Sequence, residues 1–422
     1  MKNNPVILLY SIFTKAYYLL IRLAVPFNTR ASLMINGRKG QFEKIASALK
    51  ENKKELLWFH AASLGEFEQA RPIIEQIDRN RFCMVLTFFS SSGYQVRKNY
   101  SGVDHVFYLP FDTRKNASEF LNLIHPFAVF FVKYEFWFFY LNQLSSLGIH
   151  AFLISAAIKK ETLQTFLYGS LLKEMLKKFT FIFTQFKENE NMLKAEGIKN
   201  VLHVGDTRYD RVSENVMKVA SLPLIQKFRN DKFLLVAGSS YHQEEELVFE
   251  FLKVNQDARA VIAPHEVTKS RLREIESRFK SISTISYSMA EAAGISNQRI
   301  LIIDNVGMLS SVYRYASLAL VGGGFGTKGL HNILEPCAFG IPVAFGKKNI
   351  SGFHEANEMI KAGAALGIDM NDISQFTSLP NERSICEKMG EAALKFIEIK
   401  KGATVRIINH SSLIFLRSGK NS

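Results

Sequence analysis

Cysteine is scarce in this chain of 422 residues: only Cys83, Cys337 and Cys386, far apart and without metal-ligand spacing. That excludes a disulfide-framed scaffold, suits a reducing compartment and predicts no disulfide. Low-complexity tracts and repeats of fixed period are missing too, which sets aside solenoids and disordered arrays. Acidic residues are in short supply: 39 Asp and Glu against 53 Lys and Arg leave a formal charge of +14. Such an excess calls for an anionic partner. The basic residues are dispersed and no nucleic-acid recognition motif accompanies them, so no nucleic acid is expected. An anionic membrane surface or a phosphorylated substrate fits better. A signal-peptide cleavage site is also missing near the N-terminus, which argues against export.

What is present is globular in composition, 47% hydrophobic and 22% charged, and long enough to predict two domains. The N-terminal segment PVILLYSIFTKAYYLLIRLAVPF, residues 5–27, is apolar and aromatic, broken chiefly by Lys15 and Arg22. As a helix, about 22 residues cover roughly 33 Å, enough to span a bilayer. Each cation costs about 2.5 to 3.5 kcal/mol near a bilayer centre, but both sit off-centre. A membrane anchor is expected, with a span and an interfacial helix both open. A buried first helix of a soluble domain is the alternative. Arg22, Arg30, Arg38 and Lys39 would keep the remainder cytoplasmic.

Beyond this segment, short apolar strands alternate with helical stretches, which predicts α/β domains with parallel, doubly wound sheets. Residues 37–54 read as one helix. Strands are expected at 56–60, 84–89, 106–109, 128–132, 150–154, 181–184 and 201–204. The pattern restarts with strands at 233–237, 260–263, 300–303, 318–321 and 343–345, and a last helix over roughly 385–400. The predicted organisation is an anchor over 1–28, a first domain over 29–222 and a second over 223–422. Two such domains facing one another would bring strand ends to a cleft.

The stretch LALVGGGFGTKGLHNILEPCAFGIPVAFG, residues 318–346, reads as strand, glycine-rich turn, helix and strand. Its glycines permit close approach of a ligand to the main chain. His331, Asn332 and Glu335 are expected at or near the helix start, where unpaired N–H groups favour an anion and a carboxylate suits ribose hydroxyls. In the first half, Glu66 follows the strand ending at His60, either as a helix-capping residue or as a general base. His60 reads better as a buried, hydrogen-bonded strand residue. Glu135 stands past a strand end among aromatics, with Lys133 as the expected ion-pair neighbour. Arg208 lies between Asp206 and Asp210, either a salt-bridge residue or one facing developing negative charge. Gly238, Ser239 and Ser240 offer a second phosphate cradle. Pro264 and His265 close another strand, and the loop with Val306, Gly307 and Met308 follows a third.

Taken together, the motifs WFHAASLGE (58–66), YEFW (134–137), GDTRYD (205–210), AGS (237–239), APH (263–265) and GLHNILEP (329–336) resemble bacterial 3-deoxy-D-manno-octulosonic acid (Kdo) transferases. The resemblance runs over nearly the whole chain and implies a two-domain GT-B fold. It implies CMP-Kdo as donor, a lipid A precursor as acceptor, inversion at the anomeric carbon, and neither metal nor cofactor. Position by position, Glu66 is similar to the general base, and Glu135 and Arg208 to the pair that stabilises the transition state. Pro264, His265, Val306, Gly307, Met308, Asn332, Ile333, Leu334 and Glu335 are similar to the CMP site. Three positions depart from the family pattern: it usually has Arg at 265, a carboxylate at 308 and Lys at 208. Another GT-B enzyme using a UDP-sugar, or a non-catalytic membrane-surface protein, is the alternative expectation.

Overall fold

Phenylalanine-rich strands build the first sheet. In the computed structural model, which describes residues 5–348, 350 and 352–418 (413–418 by backbone alone), seven parallel strands are β1 (Glu55–Ala61), β2 (Phe82–Phe88), β3 (His105–Tyr108), β4 (Ala128–Val132), β5 (His150–Ala156), β6 (Phe181–Thr184) and β7 (Val201–His203). They run in the order β3-β2-β1-β4-β5-β6-β7. The central strands are almost wholly buried, as parallel strands covered on both faces must be. On one face Phe59, Phe130, Phe152 and Phe183 stack from strand to strand, with successive ring centroids 4.8, 5.1 and 6.2 Å apart. Each such pair adds about 0.5–1.5 kcal/mol beyond its burial. On the other face Trp58 meets Phe120, Phe131 and Tyr140 edge-on.

The second sheet is built alike, from β8 (Leu234–Ser240), β9 (Arg259–Pro264), β10 (Thr284–Ser286), β11 (Ile300–Ile302), β12 (Leu318–Val321), β13 (Val343–Gly346) and β14 (Ala365–Ile368). Its order is β10-β11-β9-β8-β12-β13-β14. The doubly wound α/β class is therefore as expected, twice over. Two strands escaped the sequence reading. β10 is three half-buried residues, Thr-Ile-Ser, and β14 carries Gly367, so neither shows an apolar run.

Contacts divide the chain into a unit holding the described residues up to Arg211 and from Gly402 onward, and a unit of Val212–Lys401. The expected helix over 37–54 is shortened to α3 (Gln41–Leu49), because the turn before it ends on Gly40 with a left-handed backbone, and a separate helix, α2 (Thr29–Asn36), precedes that turn. Asn28 caps α2, accepting from Arg30 and Ala31. At the other end the chain does not stop at helix Arg383–Lys400. A further helix, Ala403–Ser418, returns to the first unit and buries Ile407 in its core. Asp210 fixes that return by accepting from the backbone N–H of Gly402 and Thr404 and from the Thr404 hydroxyl.

Helix α1 (Pro5–Ala24) lies against the first unit along one side. The Tyr10 hydroxyl donates to Asp112 Oδ2 at 2.6 Å. Tyr17 stacks on Phe89, and Tyr18 meets Phe111 edge-on. Val6 and Ile7 pack on the core. The opposite side turns Leu8, Leu9, Ile12, Phe13, Leu19, Leu20 and Leu23 outward, which fall on one flank at about 100° per residue. The start of helix Phe166–Leu176, beside α1, adds Phe166, 92% exposed, and Leu167.

Candidate functional site

In the first sheet the winding reverses between β1 and β4, and in the second the neighbours β8 and β12 lead to strands on opposite sides. Open α/β sheets bind ligands past the carboxyl ends of the strands at this point. Both sets of expected site residues begin there.

In the first unit, β1 ends at Ala61 and helix α4 (Leu64–Ile74) follows, with Glu66 in its first turn. Glu66 Oε2 accepts from the Ser63 backbone N–H at 2.8 Å and from the Ser63 hydroxyl at 3.0 Å. The capping geometry expected of a Glu so placed is thus real, and it uses one carboxyl oxygen. Burial and the charge of Glu135 raise the Glu66 pKa, against the lowering effect of the Ser63 bonds. A half-buried carboxylate of raised pKa is a stronger base than a solvated one. Tyr134 lies near enough that Glu66 contributes to raising its own phenol pKa.

Glu135 comes from the neighbouring strand end. Lys133 leaves β4 with a left-handed backbone, φ 66°, and turns the chain out of the strand. Glu135 is 5% exposed, and its partner is His60 rather than Lys133. The His60 Nε2 lies 2.9 Å from Glu135 Oε2, and Trp137 Nε1–H donates to the same oxygen at 2.7 Å. Lys133 instead rests its ammonium over the Tyr134 ring. His60 Nδ1 meets the Thr87 hydroxyl at 2.9 Å, and that hydroxyl accepts from Trp58 Nε1–H at 2.7 Å. His60 Nδ1 also lies 3.1 Å from the Thr87 carbonyl oxygen, so both ring nitrogens are engaged. A buried carboxylate demands such donors. His60 is therefore the buried, hydrogen-bonded residue expected, and it orients Glu135.

Arg208 stands elsewhere, past the edge strand β7. Its guanidinium binds Asp206 through Nε at 2.8 Å and Nη2 at 2.7 Å. Asp210 is occupied with the returning helix and not with Arg208. Helix Thr207–Lys218 starts beside α4, since the Thr207 hydroxyl donates to Gln69 O at 2.7 Å. That places Arg208 alongside the helix that carries Glu66.

In the second unit, the loops after β8 and β12 touch through backbone. The Gly322 N–H donates to Gly238 O at 3.0 Å, and a Cβ on Gly322 would sit 2.0 Å from Ser239 O. Gly323 has φ +97°, and a Cβ there would meet Gly329 O at 2.0 Å. Only glycine fits either position. One residue that sequence reasoning passed over holds this loop: Glu244, 1% exposed, accepts from the Gly323 N–H and the Tyr241 N–H, each at 2.9 Å. Its signal was available as a glutamate three residues after the residue preceding a helix.

The expected nucleotide residues group at these strand ends, though in different ways. His265 is exposed past Pro264, its N–H on Ser240 O, and its ring lies 4.6 Å from that of His331 and 5.1 Å from Tyr241. Tyr241 OH and His331 Nε2 are 3.0 Å apart. Burial and His265 lower the His331 pKa, favouring the neutral ring. These three rings offer a surface on which a planar base stacks. Glu335 Oε1 accepts from Asn332 at 3.0 Å and Oε2 from Ser310 at 2.5 Å, joining the loop after β12 to the one containing Met308. Val306 is 88% exposed, Gly307 has open space around it, and Met308 precedes helix Leu309–Tyr313.

Local structure sets how these residues present themselves. The helix carrying Glu335 is only Leu334–Ala338, so His331 and Asn332 lie before it in the loop. Ile333 and Leu334 bury their side chains in the core and offer a ligand only backbone groups. Among the described residues no group of three or more His, Cys, Asp or Glu is placed to hold a metal ion.

Residues 36–211 match the family model described as 3-deoxy-D-manno-octulosonic-acid transferase (kdotransferase). The chain is 26% identical over 366 residues to the 3-deoxy-D-manno-octulosonic acid transferase of Aquifex aeolicus, covering 82% of this chain and 93% of that protein. It is 24% identical to the Haemophilus influenzae protein of the same name, over 84% of this chain and 86% of that one. A bifunctional glycosyltransferase/methyltransferase of Fusobacterium nucleatum is 25% identical, over 86% of this chain but 58% of its own length. Among solved structures, UDP-GlcNAc 2-epimerase from Neisseria meningitidis superposes with a TM-score of 0.58 at 16% identity, over 85% of this chain and 99% of that one. That likeness speaks to fold alone. The resemblance to bacterial Kdo transferases read from the motifs is borne out, as is the GT-B fold.

Proposed function

We propose that this glycosyltransferase moves Kdo from CMP-Kdo to a lipid A precursor, with inversion and without a metal, at the cytoplasmic face of the inner membrane. The observation that carries the chemistry is Glu66 at the end of β1, with a pKa raised by burial and by Glu135. In this reading the free oxygen of Glu66 takes the proton of an acceptor hydroxyl as that hydroxyl attacks the anomeric carbon of Kdo. The Ser63 bonds hold the carboxylate in place. Glu135, fixed by His60 and Trp137, keeps Glu66 basic, and Arg208 balances negative charge as CMP departs. The second unit binds the nucleotide: Glu335 and Asn332 for ribose, glycine-loop N–H groups for phosphate, and His265, His331 and Tyr241 for the base.

The membrane face is α1, laid in the interface rather than across the bilayer. A span would strip Tyr10 from Asp112 and Tyr17 and Tyr18 from their aromatic partners, leaving those groups in lipid. An interfacial helix keeps these bonds and buries the outward leucines and Phe13. At about 1.5–3 kcal/mol for each fully buried side chain, that flank alone supplies on the order of 10 kcal/mol before ordering costs. Incubation with CMP-Kdo and a tetraacylated lipid A precursor should give a product heavier by one or more Kdo units. Turnover with a UDP-sugar and none with CMP-Kdo would overturn the reading.

A further inference from the structure

We propose that the cavity between α1, the turn joining α2 to α3, and the start of helix Arg114–Ile124 binds the phosphate group of a membrane amphiphile. The cavity holds about 700 Å³, and its lining includes Lys15, Arg22, Arg38, Lys39 and Lys115 but no carboxylate. None of the five is ion-paired among the described residues. Arg38 is the strongest sign. Its guanidinium is half-buried and flanked by the rings of Phe89, Tyr108 and Phe111 at 4.7–5.1 Å. Its N–H groups donate only to backbone carbonyls, of Leu109, Met34 and Phe89. Burial lowers its pKa to about 10, with tyrosines the only groups acting the other way. A half-buried cation ringed by aromatics and without an anion is costly, and a phosphate dianion supplies the missing charge.

The remaining wall decides the kind of phosphate. Tyr18, Phe42 and Phe111 line the same space, so part of the ligand is apolar. Lys15 and Arg22 stand two turns apart on α1, beside the flank that turns its leucines outward. A headgroup entering from the bilayer thus meets cations at the apolar boundary, whereas inorganic phosphate has no use for the aromatic wall. The assignment rests on the reading of α1 as the membrane-facing helix.

The test uses the full chain in neutral detergent, with octyl phosphate, inorganic phosphate and octyl glucoside as probes in calorimetric titrations. Octyl phosphate should bind saturably and more tightly than inorganic phosphate, and octyl glucoside should not bind. Lys15→Glu with Lys39→Glu should weaken octyl phosphate by about tenfold or more, since two charges facing the anion are reversed. Arg30→Glu, an exposed cation outside the cavity, should leave it unchanged, and CMP should stabilise every variant equally. If the double variant misfolds, Lys115→Glu takes its place. No saturable octyl phosphate binding, equal binding of inorganic phosphate, or equal weakening by Arg30→Glu would each overturn the proposal. Vesicle flotation of the wild type separates this from the membrane reading: a protein that floats but does not bind octyl phosphate refutes only the cavity.

Discussion

Glu135 is bound by His60 at 2.9 Å and charges the surroundings of Glu66, whose carboxyl pKa is raised by burial first and by Glu135 second. The two acids are thus held differently: Glu135 Oε2 meets ring nitrogens, whereas Glu66 takes both Ser63 bonds on Oε2.

A pH dependence follows. The acidic limb of the kcat/KM profile should report Glu66 and lie above the ordinary carboxylate range. Glu135→Gln removes a like charge, so ionisation of Glu66 becomes easier and the limb should move to lower pH. Burial, the larger cause, remains, so the shift should be partial. A limb that stays in place means that Glu66 is not the group being titrated.

The glycine loop gives a second test. Gly322→Ala would drive a Cβ into Ser239 O, and the backbone must move. Destabilisation of the second unit on the order of 2–4 kcal/mol is expected, with loss of the thermal shift produced by CMP. Unchanged CMP stabilisation would show that the two loops do not cradle the nucleotide.

Glu244→Gln keeps the shape but turns an amide N–H toward the N–H of Gly323 or Tyr241. One buried donor loses its acceptor, at a cost of about 1–3 kcal/mol. KM for the donor should rise, while transfer at saturating donor should fall much less. A fall in kcat at constant KM would contradict a role in holding the loop.

Most of the architecture was legible because buried parallel strands read as apolar runs; the strand order, which sets the switch points, was not. Glu66, Glu135 and Glu335 were visible as acids past strand ends. Their partners were not: His60 reaches Glu135 across 75 positions, while the adjacent Lys133 turns away with a left-handed backbone. Glu244 was hidden for a similar reason, as its bond to Gly323 joins residues 79 apart. The short helix at Leu334–Ala338 and the returning helix Ala403–Ser418 depend on packing that local pattern does not record.

Docking of α1 should depend on Tyr10. Asp112 is buried, and burial raises its pKa from 3.8 to about 6. A raised carboxyl stabilises the fold fully below pH 3.8 and loses that contribution as pH rises through about 6. Tyr10→Phe removes a donor that favours the ionised form, at about 1.5–3 kcal/mol above that window. Hydrogen exchange in α1 should then accelerate more at pH 8 than at pH 5. Equal acceleration at both would show that the carboxylate does not hold the helix.

The central claim is that Glu66 is the base, and the most direct measurement is transfer by Glu66→Gln alongside its thermal stabilisation by CMP. The substitution should abolish Kdo transfer while CMP stabilisation stays at the wild-type level. Substantial turnover by the variant, with CMP still bound, would contradict the account.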